Sequence, residues 1–141
     1  MAKERTLMMI KPDAVKRGHI GGVVDMVEKN GFDIMAMKMI RFTKRTAGEF
    51  YAVHKARPFY DELVEFMSSG KTTVLVLEKE NAILSLRRLL GDTDSQKAAP
   101  GTIRHKYGTD KGQNAAHGSD APDTAAFEIG YHFSGEELVR L

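Results

Sequence analysis

His117 stands in the stretch Asn114-Ala115-Ala116-His117-Gly118-Ser119-Asp120, flanked only by small residues. Such neighbours leave an imidazole approachable. A histidine pKa of about 6.5 in water keeps a neutral fraction at physiological pH. A neutral ring nitrogen can attack phosphorus without the extra base that a serine hydroxyl needs. The other nitrogen then requires an acceptor to fix tautomer and orientation. Glu128 is a candidate: Phe127, Ile129, Tyr131 and Phe133 alternate as in a strand, and Glu128 would point away from their apolar face. From spacing alone, His117 stays open between a nucleophile and an ordinary loop histidine.

Chemistry at a polyphosphate also needs positive charge, because phosphoryl transfer is catalysed mostly by positioning and electrostatic stabilisation. Lys11 ends an apolar run, Arg87 lies on a helical face beside Ile83 and Leu86, and Arg104 lies in the same long segment as His117. Each is either a site cation or a solvated surface charge. Phe59, after Arg57-Pro58, is either a core aromatic or a ring free to stack on a base.

These groups must be positioned by a chain of 141 residues, enough for one domain with a hydrophobic core, so residues 1–141 are expected to form a single unit. An apolar fraction of 42%, a charged fraction of 28% and a net charge of +2 suit a soluble globular protein and do not by themselves imply nucleic-acid or membrane binding. Cysteine is absent, which excludes disulfides and thiolate metal sites and suits a reducing compartment. The N-terminus lacks the apolar core of a signal peptide and no stretch approaches membrane-spanning length, so a cytoplasmic location is expected.

Thr6–Ile10 reads as a buried strand closed by Lys11-Pro12. Ile20, Val23, Val24 and Val27 follow helical spacing and stop at Asn30-Gly31. Ile34–Ile40 alternates as a second strand, with Met35, Met37 and Met39 on one face. Short helices are expected over 46–51 and from Pro58, the latter carrying Leu63, Phe66 and Met67. Thr72–Leu77 is the most β-prone run, Ile83–Leu90 an amphipathic helix, and the alternation at 127–133 a fourth strand. The order predicts an α/β (α+β) sandwich: a four-stranded, largely antiparallel sheet with helices on one face. Between Gly91 and Pro122 lie roughly thirty residues with no strong helix or strand pattern, a length uncommon in compact domains and usually functional. That segment holds Arg104, Asn114, His117, Ser119 and Asp120, and is the place to look for a site.

Competing motifs fail. Gly70-Lys71-Thr72 resembles the end of a phosphate loop, but Glu65 occupies the place of its first glycine. Gly18, Gly21 and Gly22 do not have dinucleotide-fingerprint spacing, and Asp92-Thr93-Asp94 lacks the turn glycine of a calcium loop, with Lys97 in its place. No histidine pair has the helical spacing of a zinc site.

The stretch 114–120 resembles the N-x-x-H-G-S-D signature of the nucleoside diphosphate kinases. Thr6–Val15, which contains Lys11-Pro12-Asp13, is similar to that family's opening strand and lysine. Tyr51, His54, Arg57, Pro58 and Phe59 match its Y-x-x-H-x-x-R-P-F segment, and Pro100–Arg104 its P-G-T-I-R. The resemblances run in family order from residue 6 to about 133. They imply a ferredoxin-like sandwich with a long active-site loop region, and an enzyme that moves the γ-phosphoryl of a nucleoside triphosphate to a nucleoside diphosphate through a phosphohistidine at His117. By the same resemblance Glu128 and Ser119 hold that ring and Tyr51 lies close to it. Lys11 and Asn114 contact the sugar hydroxyl, with Lys11 also near the transferring group. Arg87, Thr93, Arg104 and, less so, His54 bind phosphates, and Phe59 stacks on the base with Leu63 and Lys111 nearby. Mg²⁺ rides on the substrate phosphates without a protein metal cage. Partners are nucleotides and further copies of the chain, a tetramer favoured over a hexamer as in shorter bacterial members, with no membrane and no specific nucleic acid.

Some positions depart from the family pattern. Asp94-Ser95-Gln96-Lys97 replaces a common Asn-Pro, which is expected to loosen that loop, and His105-Lys106 replaces a small residue and an aspartate. A non-catalytic nucleotide binder, a phosphocarrier and an RNA-binding module are the rival readings. The complete signature argues against the first and the missing aromatic-rich central strand against the third, while the second, which needs no base-stacking site, is separated by labelling with ATP and then adding CDP.

Overall fold

A computed structural model describes residues 3–139. Strand β1 (Lys3–Ile10) and strand β3 (Lys71–Glu80) pair antiparallel through the middle of the sheet, from Lys3 opposite Glu80 to Ile10 opposite Thr73. Both are buried along an unbroken apolar run, as strands covered on both faces must be. Strand β2 (Asp33–Arg41) lies outside β3 and the three-residue β4 (Ala116–Gly118) outside β1, giving the order β2-β3-β1-β4 with every neighbouring pair antiparallel.

Helices cover both faces rather than the single face expected, because β1 and β3 alternate two apolar sets. Met8, Ile10, Leu75 and Leu77 pack with Val23 and Val27 of α2 (Ile20–Lys29), with Leu86, Leu89 and Leu90 of α5 (Ala82–Leu90), and with Ile103 of α6 (Ile103–Tyr107). On the other face Leu7, Met9, Val74 and Val76 meet Ala47 and Phe50 of α3 (Lys44–Phe50) and Met67 of α4 (Tyr60–Met67). That face also takes Ile129 of α7 (Pro122–His132) and Leu138 of α8 (Gly135–Val139). One short helix, α1 (Pro12–Lys16), begins directly after β1 with Pro12 in its first turn.

Two further expectations fail for local reasons. The alternation at 127–133 belongs to α7, not to a fourth strand. Pro122 opens the helix, Thr124 Oγ1 accepts from Ala121 N at 3.0 Å, and Ala125, Ile129 and Phe133 form an i, i+4 stripe into the core. The methionine stripe of β2 is split by an irregularity between Ile34 and Ala36, which turns Met35 toward the Phe50 side while Met37 and Met39 stay about half exposed. The actual fourth strand lies inside the segment read as loop, along with α6 and a turn of 3₁₀ helix at Ser95–Lys97.

Candidate active site

β4 exists to carry His117. Met9 lies opposite His117 in the pairing with β1, so the imidazole faces the Phe50 side of the sheet while Ala116 packs into the opposite core. Gly118 is dictated by packing: a Cβ there would stand 2.9 Å from Leu90 Cδ1 and 3.0 Å from Leu86 Cδ2. Phe50 and Tyr51 wall the imidazole edge-on, at ring centroid distances of 6.0 and 6.3 Å.

The turn into β4 is strained. Ala115 has φ of +72°, and Ala116 N donates to Asn114 O at 2.9 Å, an i to i+2 bond around a residue that would ordinarily avoid positive φ. Such backbone costs on the order of 1–3 kcal/mol and persists only when its surroundings hold it. Here they do: Lys11 N donates to Ala115 O at 2.8 Å, and Ala115 N donates to Asp13 Oδ2 at 3.0 Å.

Glu128, one helix turn past Thr124 on α7, receives both partners expected of it. His117 Nε2 lies 2.9 Å and Ser119 Oγ 2.7 Å from Glu128 Oε1. Burial pushes the Glu128 carboxyl up, but the hydrogen bond and charge of His117, the Ser119 hydroxyl and His132 outweigh it and hold it below the usual range. An ionised carboxylate only accepts, so in the neutral tautomer Nε2 carries the proton and Nδ1 keeps its lone pair. Glu128 reaches His117 from a helix, not from the strand expected.

The cations divide by environment. Lys11 Nζ is buried and donates to Asn114 Oδ1 at 2.9 Å and to Gly112 O at 3.3 Å. Burial lowers its pKa to about 8, with Asp13 resisting the fall. Asn114 Nδ2 in turn donates to Thr93 O at 3.0 Å. Arg104, placed by α6 behind the Thr102 cap, donates to Gly91 O at 3.0 Å and to Ala116 O at 2.9 Å, so it also braces the His117 strand. Burial and the neighbouring Arg87 lower its pKa to about 10. Arg87, exposed, pairs with Asp120. Arg87, Arg104 and Thr93 line, with Leu90, Gly91 and Asp92, a cavity of ≈ 270 Å³. Gly91, at φ +86°, makes the turn from α5 into that cavity.

The remaining sequence candidates lie farther out. Tyr51 is buried, and burial followed by the Glu128 charge raises its pKa, so it stays a neutral phenol. Its ring lies 6.4 Å from that of His54, which lies 5.5 Å from Phe59. Phe59 is 47% exposed at the start of α4, too open for a core aromatic. Leu63 sits partly buried against the core below it, and Lys111 is exposed on its loop. Two residues had no role assigned from sequence: Asp13, whose position two after Lys11 in the first helical turn was the available signal, and Asp120, the partner of Arg87. The departing loop is not loose. Asp94 caps it by accepting from Gln96 N at 3.0 Å, and His105 Nδ1 lies 3.0 Å from Ala98 O.

Known proteins agree with this geometry. The family profile "Nucleoside diphosphate kinase" matches residues 4–138. A nucleoside diphosphate kinase of Chlorobium limicola is 54% identical over 138 residues, spanning 98% of this chain and 99% of that one. The crystal structure of the Aquifex aeolicus nucleoside diphosphate kinase superposes with a TM-score of 0.95 at 53% identity, covering 98% of this chain and all of that one. A Halobacterium salinarum nucleoside diphosphate kinase in complex with CDP gives 0.93 at 44% identity, covering 98% and 92%. With its profile, relatives and fold in agreement, the chain belongs to the nucleoside diphosphate kinase family.

Proposed function

We propose that His117 Nδ1 is the atom that carries the phosphoryl group of this nucleoside diphosphate kinase between nucleotides. The observation behind the assignment is the bond from His117 Nε2 to Glu128 Oε1, which leaves Nδ1 as the free nucleophile. In the first half-reaction the Nδ1 lone pair attacks the γ-phosphorus of a nucleoside triphosphate, the bond from that phosphorus to the β,γ-bridging oxygen breaks, and the diphosphate leaves. In the second, a terminal oxygen of another nucleoside diphosphate attacks the same phosphorus and the N–P bond breaks. No proton need leave Nε2 in either step, and Glu128 balances the positive charge of the phosphorylated ring.

Arg87, Thr93 and Arg104 receive the phosphates in their shared cavity, with His54 nearer the outer side. Lys11 and Asn114, joined to each other, meet the sugar hydroxyl, and Lys11 also faces the transferring group. Phe59 offers its exposed ring to the base, with Leu63 and Lys111 beside it. Stacking without base-edge hydrogen bonds tolerates every base. A CDP complex of the halophilic relative supports nucleotides as ligands. The triphosphate arrives as its Mg²⁺ complex, the ion belonging to the substrate and shielding its charge. Among the described residues no cluster of three or more His, Cys, Asp or Glu is arranged to cage one. We place the protein in the cytoplasm as a homo-oligomer, tetramer before hexamer. The half-exposed Met37 and Met39 on the outer strand β2 support assembly, and no described helix is long and apolar enough to cross a membrane.

Initial velocities with ATP and CDP varied together test the two-step route. Parallel double-reciprocal lines are expected, and intersecting lines would exclude a covalent intermediate that outlives the first product.

A further inference from the structure

Asp13 is a buried carboxylate that the transfer chemistry does not itself require. Its Oδ2 accepts from Ala115 N at 3.0 Å, across about a hundred residues of sequence, while its Oδ1 is buried with no hydrogen-bond partner among the described residues. A buried carboxylate with one oxygen unsatisfied is costly, and such a group in a native fold calls for an explanation. Within its reach lies the positive-φ turn at Ala115, two residues before His117.

We infer that Asp13 is a positioning residue for phosphoryl transfer: it clamps the strained turn that aims His117. The inference rests on the assignment of His117 made above. The clamp works through the backbone. Lys11 N holds the Ala115 carbonyl from one side and Asp13 holds the Ala115 amide from the other, so β1, α1 and β4 are joined at a single residue. Released from Asp13, Ala115 relaxes toward negative φ and β4 swings, because alanine has no reason to stay at +72°.

Four variants test the clamp: Asp13→Asn, Asp13→Ala, Ala115→Gly and the double variant Asp13→Ala/Ala115→Gly. Each is compared with wild type by the single-turnover rate of His117 phosphorylation from MgATP and by kcat and KM taken separately. Asp13→Ala should slow phosphorylation by about 100-fold, the usual cost of misplacing a reacting group by about an ångström. Adding Ala115→Gly should recover at least about 10-fold of that loss, since glycine adopts positive φ without a clamp. Additive losses would overturn the clamp. Asparagine keeps an acceptor for Ala115 N, so Asp13→Asn should fold and phosphorylate faster than Asp13→Ala, with kcat rather than KM carrying the difference. A rate no better than that of Asp13→Ala would overturn the clamp. Wild type that fails to label His117 would instead refute the site assignment, leaving the two failures distinct.

Discussion

The site residues fall into two sets, a rigid wall and an open one, that follow different rules. On one, His117 stands on a three-residue strand fixed by β1, by the Asp13 and Lys11 bonds to Ala115, by Arg104 on Ala116 O and by Glu128 on its ring. On the other, Arg87, Thr93 and Phe59 are exposed, and Arg87 is occupied by Asp120. A nucleophile must meet phosphorus at a set distance and angle, so its position is written into backbone and buried hydrogen bonds. Groups that grip a flexible polyanion need only charge and reach, and the substrate completes their arrangement. Damage to the rigid wall should therefore reduce rate, and damage to the open wall affinity.

The sharpest break is His117→Ala, which should lower turnover by at least about 10⁴-fold while nucleotide binding by calorimetry persists. Retained turnover would move the nucleophile elsewhere. Lys11→Ala should cost about 10²–10³-fold in kcat, the range for removing one preorganised donor, where a pure KM effect would place Lys11 on the wrong wall. Glu128→Gln keeps hydrogen-bonding capacity but loses charge. A hydrogen bond to a charged group is worth about 1.5–3 kcal/mol, so a 10- to 100-fold fall in the phosphorylation step is expected. A rate within twofold of wild type would deny Glu128 its role. Phe59→Ala should weaken nucleotide binding by about 1–3 kcal/mol with kcat at saturation little changed; unchanged affinity would remove the stacking role from the open wall.

The smallest effect concerns stability. His132, one turn past Glu128, packs its ring against Phe50 and Phe42 at 5.0 and 5.6 Å, and its Nε2 has no hydrogen-bond partner among the described residues. Burial, then Lys38 from β2 and His117 from β4, lower its pKa to about 4 against the pull of Glu128. The unfolded chain takes up this proton near the ordinary value of about 6.5 and the folded one only near 4, so stability falls as pH drops through that interval. His132→Phe should flatten the decline in melting temperature between about pH 6.5 and 4.5, above the range where Glu128 adds its own acid sensitivity. Equal slopes in the two proteins would show that the ring is solvated.

Much of the fold could be read from sequence, but little of the rigid wall's construction could. β1, α2, β3 and α5 were legible because their apolar periods are long and undisturbed, and the signature around His117 because its residue types are unusual together. β4 was not: Ala116-His117-Gly118 has neither β-branched residues nor alternation, and its pairing is imposed by β1. α7 was misread because Phe127 and Tyr131, an i, i+4 pair flanking the Phe50 ring, interleave with the Ala125, Ile129 and Phe133 stripe to give a false period of two. Helices on both faces were hidden because β1 and β3 carry two apolar faces in one continuous run. Asp13 was invisible as a functional group because its partner, Ala115, has no side chain that speaks for its backbone.

The central claim is that His117 Nδ1 holds the phosphoryl group between two substrates. Its most direct test is to mix the protein with γ-labelled ATP alone, remove the nucleotide, identify the phosphorylated atom, and then add CDP. The account predicts acid-labile label on Nδ1 of His117, discharged as CTP when CDP arrives. Label on Nε2 or on Ser119, or no label until both nucleotides are present, would contradict it.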